Sequence, residues 1–409
     1  MNIKGRALKV GIATIVAQIF SALGFVAIPK FFSASDYGEL VLILGIVSIL
    51  QPIATMRIEI LTSVVDSDNV SQFLIGFVKR LSALVSLGCF ILSFLYFYLI
   101  RGNVWQESLR IGLFISCITL FQSLSIILVQ INLRNQRIRP IAFSGVMQNS
   151  STLILQILFG LFKFGSTFLI TAYLLGRIIG IIPLNVRRNN MKKEEILRQD
   201  KYLTNLKPFL KPTSYLFSSG VMDAAILYLP VLLIIREYGY GLGGNIGYLQ
   251  NILLVPVSLT ISMLTASLFS NSKKLNLITF QNARELLWRE LLPAYKYFVA
   301  LFIFSCSIIL PWFFRTFLVS EWQINSKFII LFVVNFSLSL ILIPETILMV
   351  TMHKFALVWK SSILKFVSAS SICVLTLKFS ISLDQFLFLY YGNQIICSII
   401  LFCAYRRAK

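Results

Sequence analysis

Long apolar runs, not alternations, set the pattern of this chain. Stretches of twenty or more mostly apolar residues recur about a dozen times, each ended by a short polar segment. About 20 apolar residues in a helix cross the hydrocarbon core of a bilayer. A membrane barrel would instead show segments of about ten residues with alternating polarity. The runs predict transmembrane helices over 8–29, 38–62, 76–100, 109–131, 141–161 and 166–184, and then over 213–235, 242–268, 292–314, 328–350, 356–377 and 384–404. The fold class they define is an all-α integral membrane protein of about twelve transmembrane helices.

The longest polar stretch, 185–212, divides these helices into an N-terminal six-helix bundle (1–184) and a C-terminal one (213–409), joined by a basic linker. Within the linker, Glu194 and Arg198 are four apart, the spacing of a solvated helix. A second amphipathic stretch, 275–291, carries Leu286, Leu287, Trp288 and Leu291 beside Glu285 and Arg289, and is expected on the membrane surface.

The two halves repeat one order of signals. Pro29 precedes Tyr37-Gly38 by the same spacing with which Pro230 precedes Tyr238-Gly239, and each pair reads as a turn. A helix with an inner proline follows in each half (Pro52, Pro256), and then a polar stretch (63–80, 271–290). An even number of helices per half makes the repeats parallel, related by an axis along the membrane normal. Two parallel bundles around a central cleft are a transporter architecture, able to rock about the linker. Pro52, Pro230, Pro256 and Pro344 loosen their helices. That serves such motion, or reflects only the ordinary frequency of proline in membrane helices.

Charge orients the bundle. The chain carries a formal charge of +21 with 57% hydrophobic and 13% charged residues. In a soluble protein that balance would suggest nucleic acid. Here the basic residues sit in loops, 26 on the side of the termini and 8 on the other. The positive-inside rule places the first side, with both termini and the linker, in the cytoplasm, and removes nucleic acid as a partner. Lys4, Arg6 and Lys9 before the first run mimic a signal peptide, but no small-x-small cleavage site follows, so a retained helix is expected.

Six cysteines without ligand spacing read as core residues, and a single histidine, His353, excludes a multi-histidine metal centre. No carboxylate pair or nucleotide motif stands out and the outer loops are short, so neither an enzyme nor a cofactor is expected.

Charges at membrane depth cost about 2.5–3.5 kcal/mol on insertion scales and tend to face cavities or partners. Arg57, Arg177 and Lys365 form a candidate cationic cleft for an anionic head group, since arginine grips phosphate with two parallel hydrogen bonds. Asp223, beside Ser218, Ser219 and Gly220, is the foremost candidate to bind a coupling proton or sodium ion, with Glu345 and Glu59 as further candidates. Structural ion pairs and snorkelling side chains are the competing explanation. Arg57 and Glu59, two apart on a helix, should face different ways.

Residues 20–62, with Pro29, Asp36-Tyr37-Gly38 and a second helix ending Ala54-Thr55-Met56-Arg57-Ile58-Glu59, resemble the polysaccharide-transporter family. These are the Wzx-like O-antigen and capsule repeat-unit flippases of the multidrug/oligosaccharidyl-lipid/polysaccharide exporter superfamily. The segment from Asn132 to Ser151 is similar to that family's basic connector into helix five.

The resemblance implies a flippase that moves undecaprenyl-pyrophosphate-linked oligosaccharide from the cytoplasmic to the outer leaflet of the bacterial inner membrane. Membrane lipids, a polysaccharide polymerase and chain-length proteins are the implied partners. A pyrophosphate would account for the buried arginines, and sugars for Gln18, Gln51, Gln148, Asn149 and Asn335. The second half departs from this pattern in lacking an arginine that matches Arg57. Two alternatives are a multidrug–cation antiporter of the same superfamily and a membrane-embedded polysaccharide polymerase or glycosyltransferase.

Overall fold

A computed structural model describes residues 3–64, 68–100, 102, 104–135, 137–185, 200–270, 280–316, 320–322, 324–352, 354–379 and 381–407. Among them there is no strand. The N-terminal half contains α1 (Ile3–Phe31), α2 (Ala34–Thr55), the short α3 (Ile58–Val64), α4 (Asp68–Leu95), α5 (Trp105–Arg134), α6 (Ile138–Leu161) and α7 (Ser166–Ile181). The C-terminal half contains α8 (Asp200–Tyr238), α9 (Tyr240–Ser270), α10 (Phe280–Thr316), α11 (Ser326–Thr351), α12 (Phe355–Phe379) and α13 (Leu383–Arg407). Ten of the described helices are long and apolar enough to cross a bilayer, and α1 and α9 complete the twelve long helices described. The chain is a multi-pass membrane protein.

Several helix ends differ from expectation, each for a local reason. Tyr37-Gly38 is not a turn. Ser33 caps α2 by accepting from the Asp36 amide, and the Asp36 carboxylate accepts from the Ser33 amide in return, so the helix is already under way at Tyr37. Its counterpart is a true break: Gly239 takes φ +92° between α8 and α9. The span expected to run to residue 62 stops at Thr55, because Met56 and Arg57 both adopt left-handed backbone (φ 47° and 56°) before α3 begins. α8 begins at Asp200, so residues 200–212 of the expected linker are helical; Lys192 to Arg198 lie outside the described residues. Residues 280–291 of the expected surface stretch belong to α10 and run without interruption into its span.

Helix neighbours repeat between the halves. In the first, α1 packs on α6, α6 on α7, α4 on α5, and α5 on both α2 and α7. In the second, α8 packs on α12, α12 on α13, α10 on α11, and α11 on both α9 and α13. The halves meet mainly through α2 against α9, flanked by the crossed pairs α1–α9 and α2–α8. Both sets follow one pattern with α1 matched to α8 and α2 to α9, which makes the halves two copies of a single arrangement.

The end of the bundle holding the starts of α2 and α9 is termed distal here, and the end holding the chain termini proximal. Backbones come closest at the distal end. A Cβ on Gly38 would run into the Tyr240 carbonyl oxygen, and one on Gly244 into that of Ala34. Small residues allow such close approach of membrane helices, where apolar burial alone gives no net drive.

Candidate functional site

The cleft between the halves is closed distally by aromatic rings. Tyr248 of α9 is fully buried, with ring centroids of Trp322 at 4.9 Å, Tyr37 at 5.6 Å, and Phe25 and Phe314 at 5.8 Å. Four of these contacts are edge-on, the geometry that ring quadrupoles favour. Trp322 comes from a single turn (Ser320–Trp322) between α10 and α11 and is held where Asn245 donates to the Glu321 carbonyl at 2.8 Å. Phe25 and Tyr37 belong to the first half and the other three rings to the second, so the plug joins the two.

Below it lies a layer of tyrosines and amides. The Tyr37 hydroxyl accepts from Asn251 of α9 at 2.8 Å. Tyr228 of α8 hydrogen-bonds Ser48 of α2 and lies within electrostatic reach of Tyr173 and Arg177. Arg177 of α7 donates from Nη2 and Nε to the Tyr173 hydroxyl (2.9 and 3.3 Å) and from Nη1 to Gln148 Oε1 (3.3 Å). Its guanidinium also lies 5.4 Å from the Tyr173 ring centre, within cation–π range.

Charge gathers nearer the proximal end. Asp223 is exposed by surface area, yet protein surrounds it, so it lines an internal cleft. It hydrogen-bonds Ser362 of α12 and interacts with Lys365, one turn further along α12, and with Arg57 from the other half. Arg57 reaches across the cleft because Gly220, one turn before Asp223 on α8, carries no side chain: a Cβ there would sit 2.5 Å from Arg57 Nε.

Glu59 lies behind Arg57 and is buried, its Oε1 3.9 Å from Arg57 Nη1. The expectation that these two residues face apart fails because the left-handed pair Met56–Arg57 interrupts helical spacing. Burial pushes the Glu59 carboxyl up from its ordinary range, with Arg57 opposing the shift.

Of the six charged residues singled out in the sequence, four therefore share the cleft: Arg57, Arg177, Lys365 and Asp223. Glu59 touches it only through Arg57. Glu345 is elsewhere. Its Oε1 accepts from Arg284 Nε and from Trp288 Nε1 at 2.7 Å each, pinning the start of α10 to α11. Sequence reasoning missed Tyr173, Tyr228, Ser362 and the role of Gly220. Tyr173 had a usable signal, since its place four residues before Arg177 puts both on one helix face; Tyr228 and Gly220 become functional only across the cleft.

No protein-family profile and no curated protein matches this chain. Solved structures do. A MATE transporter from Vibrio cholerae superposes with a TM-score of 0.64 at 13% identity, covering 99% of this chain and 96% of that one. An inward-facing multidrug resistance MATE family transporter of the MOP superfamily gives 0.61 at 11% identity, covering 99% and 93%. A MOP superfamily transporter from Pyrococcus furiosus, for which reverse polarity of the binding pocket suggests a different function, gives 0.58 at 11% identity, covering 99% and 95%. The fold is thus that of the MATE transporters of the MOP superfamily.

Proposed function

We propose that this chain is an alternating-access transporter for a lipid-linked anion, with undecaprenyl-pyrophosphate-linked oligosaccharide repeat units as its substrate class. The observation that carries this reading is the charge of the cleft. Two cations, Lys365 and Arg57, face one exposed carboxylate, Asp223, and a third, Arg177, lies in the tyrosine layer beside Tyr228, while Glu59 and Glu345 are buried away from the opening. A pyrophosphate offers several acceptor oxygens to such a set, and the guanidinium fork suits it. The tyrosine and amide layer above offers ring faces and hydrogen-bonding groups of the kind sugars use. With the basic loops in the cytoplasm of a bacterial inner membrane, the proximal opening faces inward, where a lipid-linked repeat unit would enter.

A second reading has its own support. Fold neighbours bear the description of multidrug transporters, and Asp223 could draw a cationic drug in exchange for a proton or sodium ion. The excess of positive charge in the cleft disfavours it, and the neighbour with reverse pocket polarity is itself described as a transporter of the same superfamily.

Reconstituted vesicles separate the two. The expected result is flipping of a fluorescent polyprenyl-pyrophosphate oligosaccharide and no gradient-driven movement of ethidium, with Asp223→Asn well expressed but no longer responsive to an imposed gradient. Ethidium transport without flipping would overturn the proposal in favour of the antiporter.

A further inference from the structure

Resting on the reading of the cleft as an anion site, one contact inside it has a further consequence. Arg57 lies between two carboxylates on opposite sides of the cleft. Glu59, on its own half, is 1% exposed, with Arg57 as its ion-pair partner and the Thr55 hydroxyl beside it. Asp223, on the other half, is exposed to the cleft. The Arg57 side chain is 31% exposed, so its guanidinium borders the opening instead of being sealed against Glu59. At 3.9 Å the Arg57–Glu59 pair is an ion pair without a hydrogen bond, longer than the 2.7–2.9 Å of a charge-assisted one.

The backbone that carries Arg57 is also unusual. Two successive residues without the freedom of glycine, Met56 and Arg57, hold positive φ, which costs of order 1–3 kcal/mol each. The joint between α2 and α3 is thus under strain at the point from which the arm extends.

We propose that Arg57 is an arm shared between Glu59 and the cleft, so that an anion entering the cleft and a proton arriving at Glu59 bind cooperatively. An anion that draws Arg57 into the cleft deprives Glu59 of its ion-pair partner. A buried carboxylate without a countercharge takes a proton more readily. By linkage, a proton on Glu59 frees Arg57 and strengthens anion binding by the same factor.

The surroundings leave room for this exchange. From α5, Arg134 donates to the Thr62 carbonyl at 2.9 Å. From α8 the facing charge is Asp223. On α4, Lys79 and Arg80 are exposed.

Two measurements on the full-length protein in nanodiscs test the arm. The first needs no ligand. Infrared titration follows the protonated-carboxyl band that disappears in Glu59→Gln. In Arg57→Gln its midpoint is expected to move upward by about 1–3 pH units, the usual effect of removing an adjacent opposite charge.

The second is calorimetry with farnesyl pyrophosphate in buffers of different ionisation heat. Wild type is expected to take up close to one proton on binding at the pH where Glu59 is mostly ionised, and Glu59→Gln to bind without uptake. An unmoved band in Arg57→Gln, or equal proton uptake in wild type and Glu59→Gln, overturns the coupling while leaving the anion site intact. Absence of farnesyl pyrophosphate binding by wild type at every pH overturns the anion site, and the coupling with it.

Discussion

The two ends of the cleft are built from opposite chemistry. Distally, five aromatic rings and glycine-spaced backbones close the halves on one another, and the Tyr37 and Tyr248 hydroxyls among them find partners in Asn251 and the Phe25 carbonyl. Proximally, the halves face each other with arginine, lysine and aspartate, and an interhelical glycine makes room for a guanidinium, not for a backbone. Packing holds one end shut with short-range contacts that vanish once the surfaces part. Charges at the other end keep their interaction over several ångströms and exchange partners readily. On the proposed reading, an alternating cleft needs one end that is lost all at once and another that can rearrange around cargo, and glycine with aromatics at one end and arginine with carboxylates at the other suit these two tasks.

Breaking the distal plug should have the largest effect. Trp322→Ala removes a fully buried indole, a change that typically costs about 3–5 kcal/mol. The loss falls on the state in which the plug is assembled. The expected outcome is a lower melting temperature, together with labelling of Asn251→Cys from the distal side that wild-type packing prevents. Unchanged melting and no distal labelling would show the plug to be idle.

Next is the backbone contact beside it. Gly244→Ala drives a methyl into the Ala34 carbonyl oxygen, which has no side-chain rotation to relieve it, at an expected cost of about 1–3 kcal/mol. Gly241→Ala, where a Cβ meets nothing within 4 Å, is the control, and equal melting temperatures for the two would remove the close approach as a determinant of closure.

The smallest effect is expected at the proximal end, where it should appear in affinity, not in melting. Arg57→Lys and Arg177→Lys keep the charge and lose the planar fork. One charged hydrogen bond is worth about 1.5–3 kcal/mol, so binding of farnesyl pyrophosphate should weaken roughly tenfold or more with the fold intact. Wild-type affinity in both variants would reduce the arginines to point charges.

How much of this could be read in advance depended on the range of the interaction. The long helices, ten of them apolar enough to cross a bilayer among the described residues, follow from runs of apolar residues, a property of each segment alone. Arg57, Arg177, Lys365 and Asp223 stood out for the same reason, as charges inside such runs. What depends on two segments stayed hidden. Glu345 read as an ion-binding candidate because nothing local announces Arg284, 61 residues earlier in the chain. Trp322 lies in a short loop turn, where nothing local announces its place between Tyr37 and Tyr248. The break at Met56–Arg57 escaped notice since neither residue is a glycine or proline, and a helical rule carried across it wrongly separated Arg57 from Glu59.

A single residue, Ser48, tests the central claim of an anion-selective cleft closed at its distal end. It sits on α2 beside Tyr228, between the plug and the charges. In a background with the six native cysteines replaced, Ser48→Cys in sealed vesicles of known orientation is exposed to membrane-impermeant thiol reagents, one anionic and one cationic. The account predicts labelling from the proximal side alone, faster with the anionic reagent, and protection by farnesyl pyrophosphate but not by ethidium. Labelling at equal rates from both sides, or faster reaction with the cationic reagent together with protection by ethidium, would contradict it.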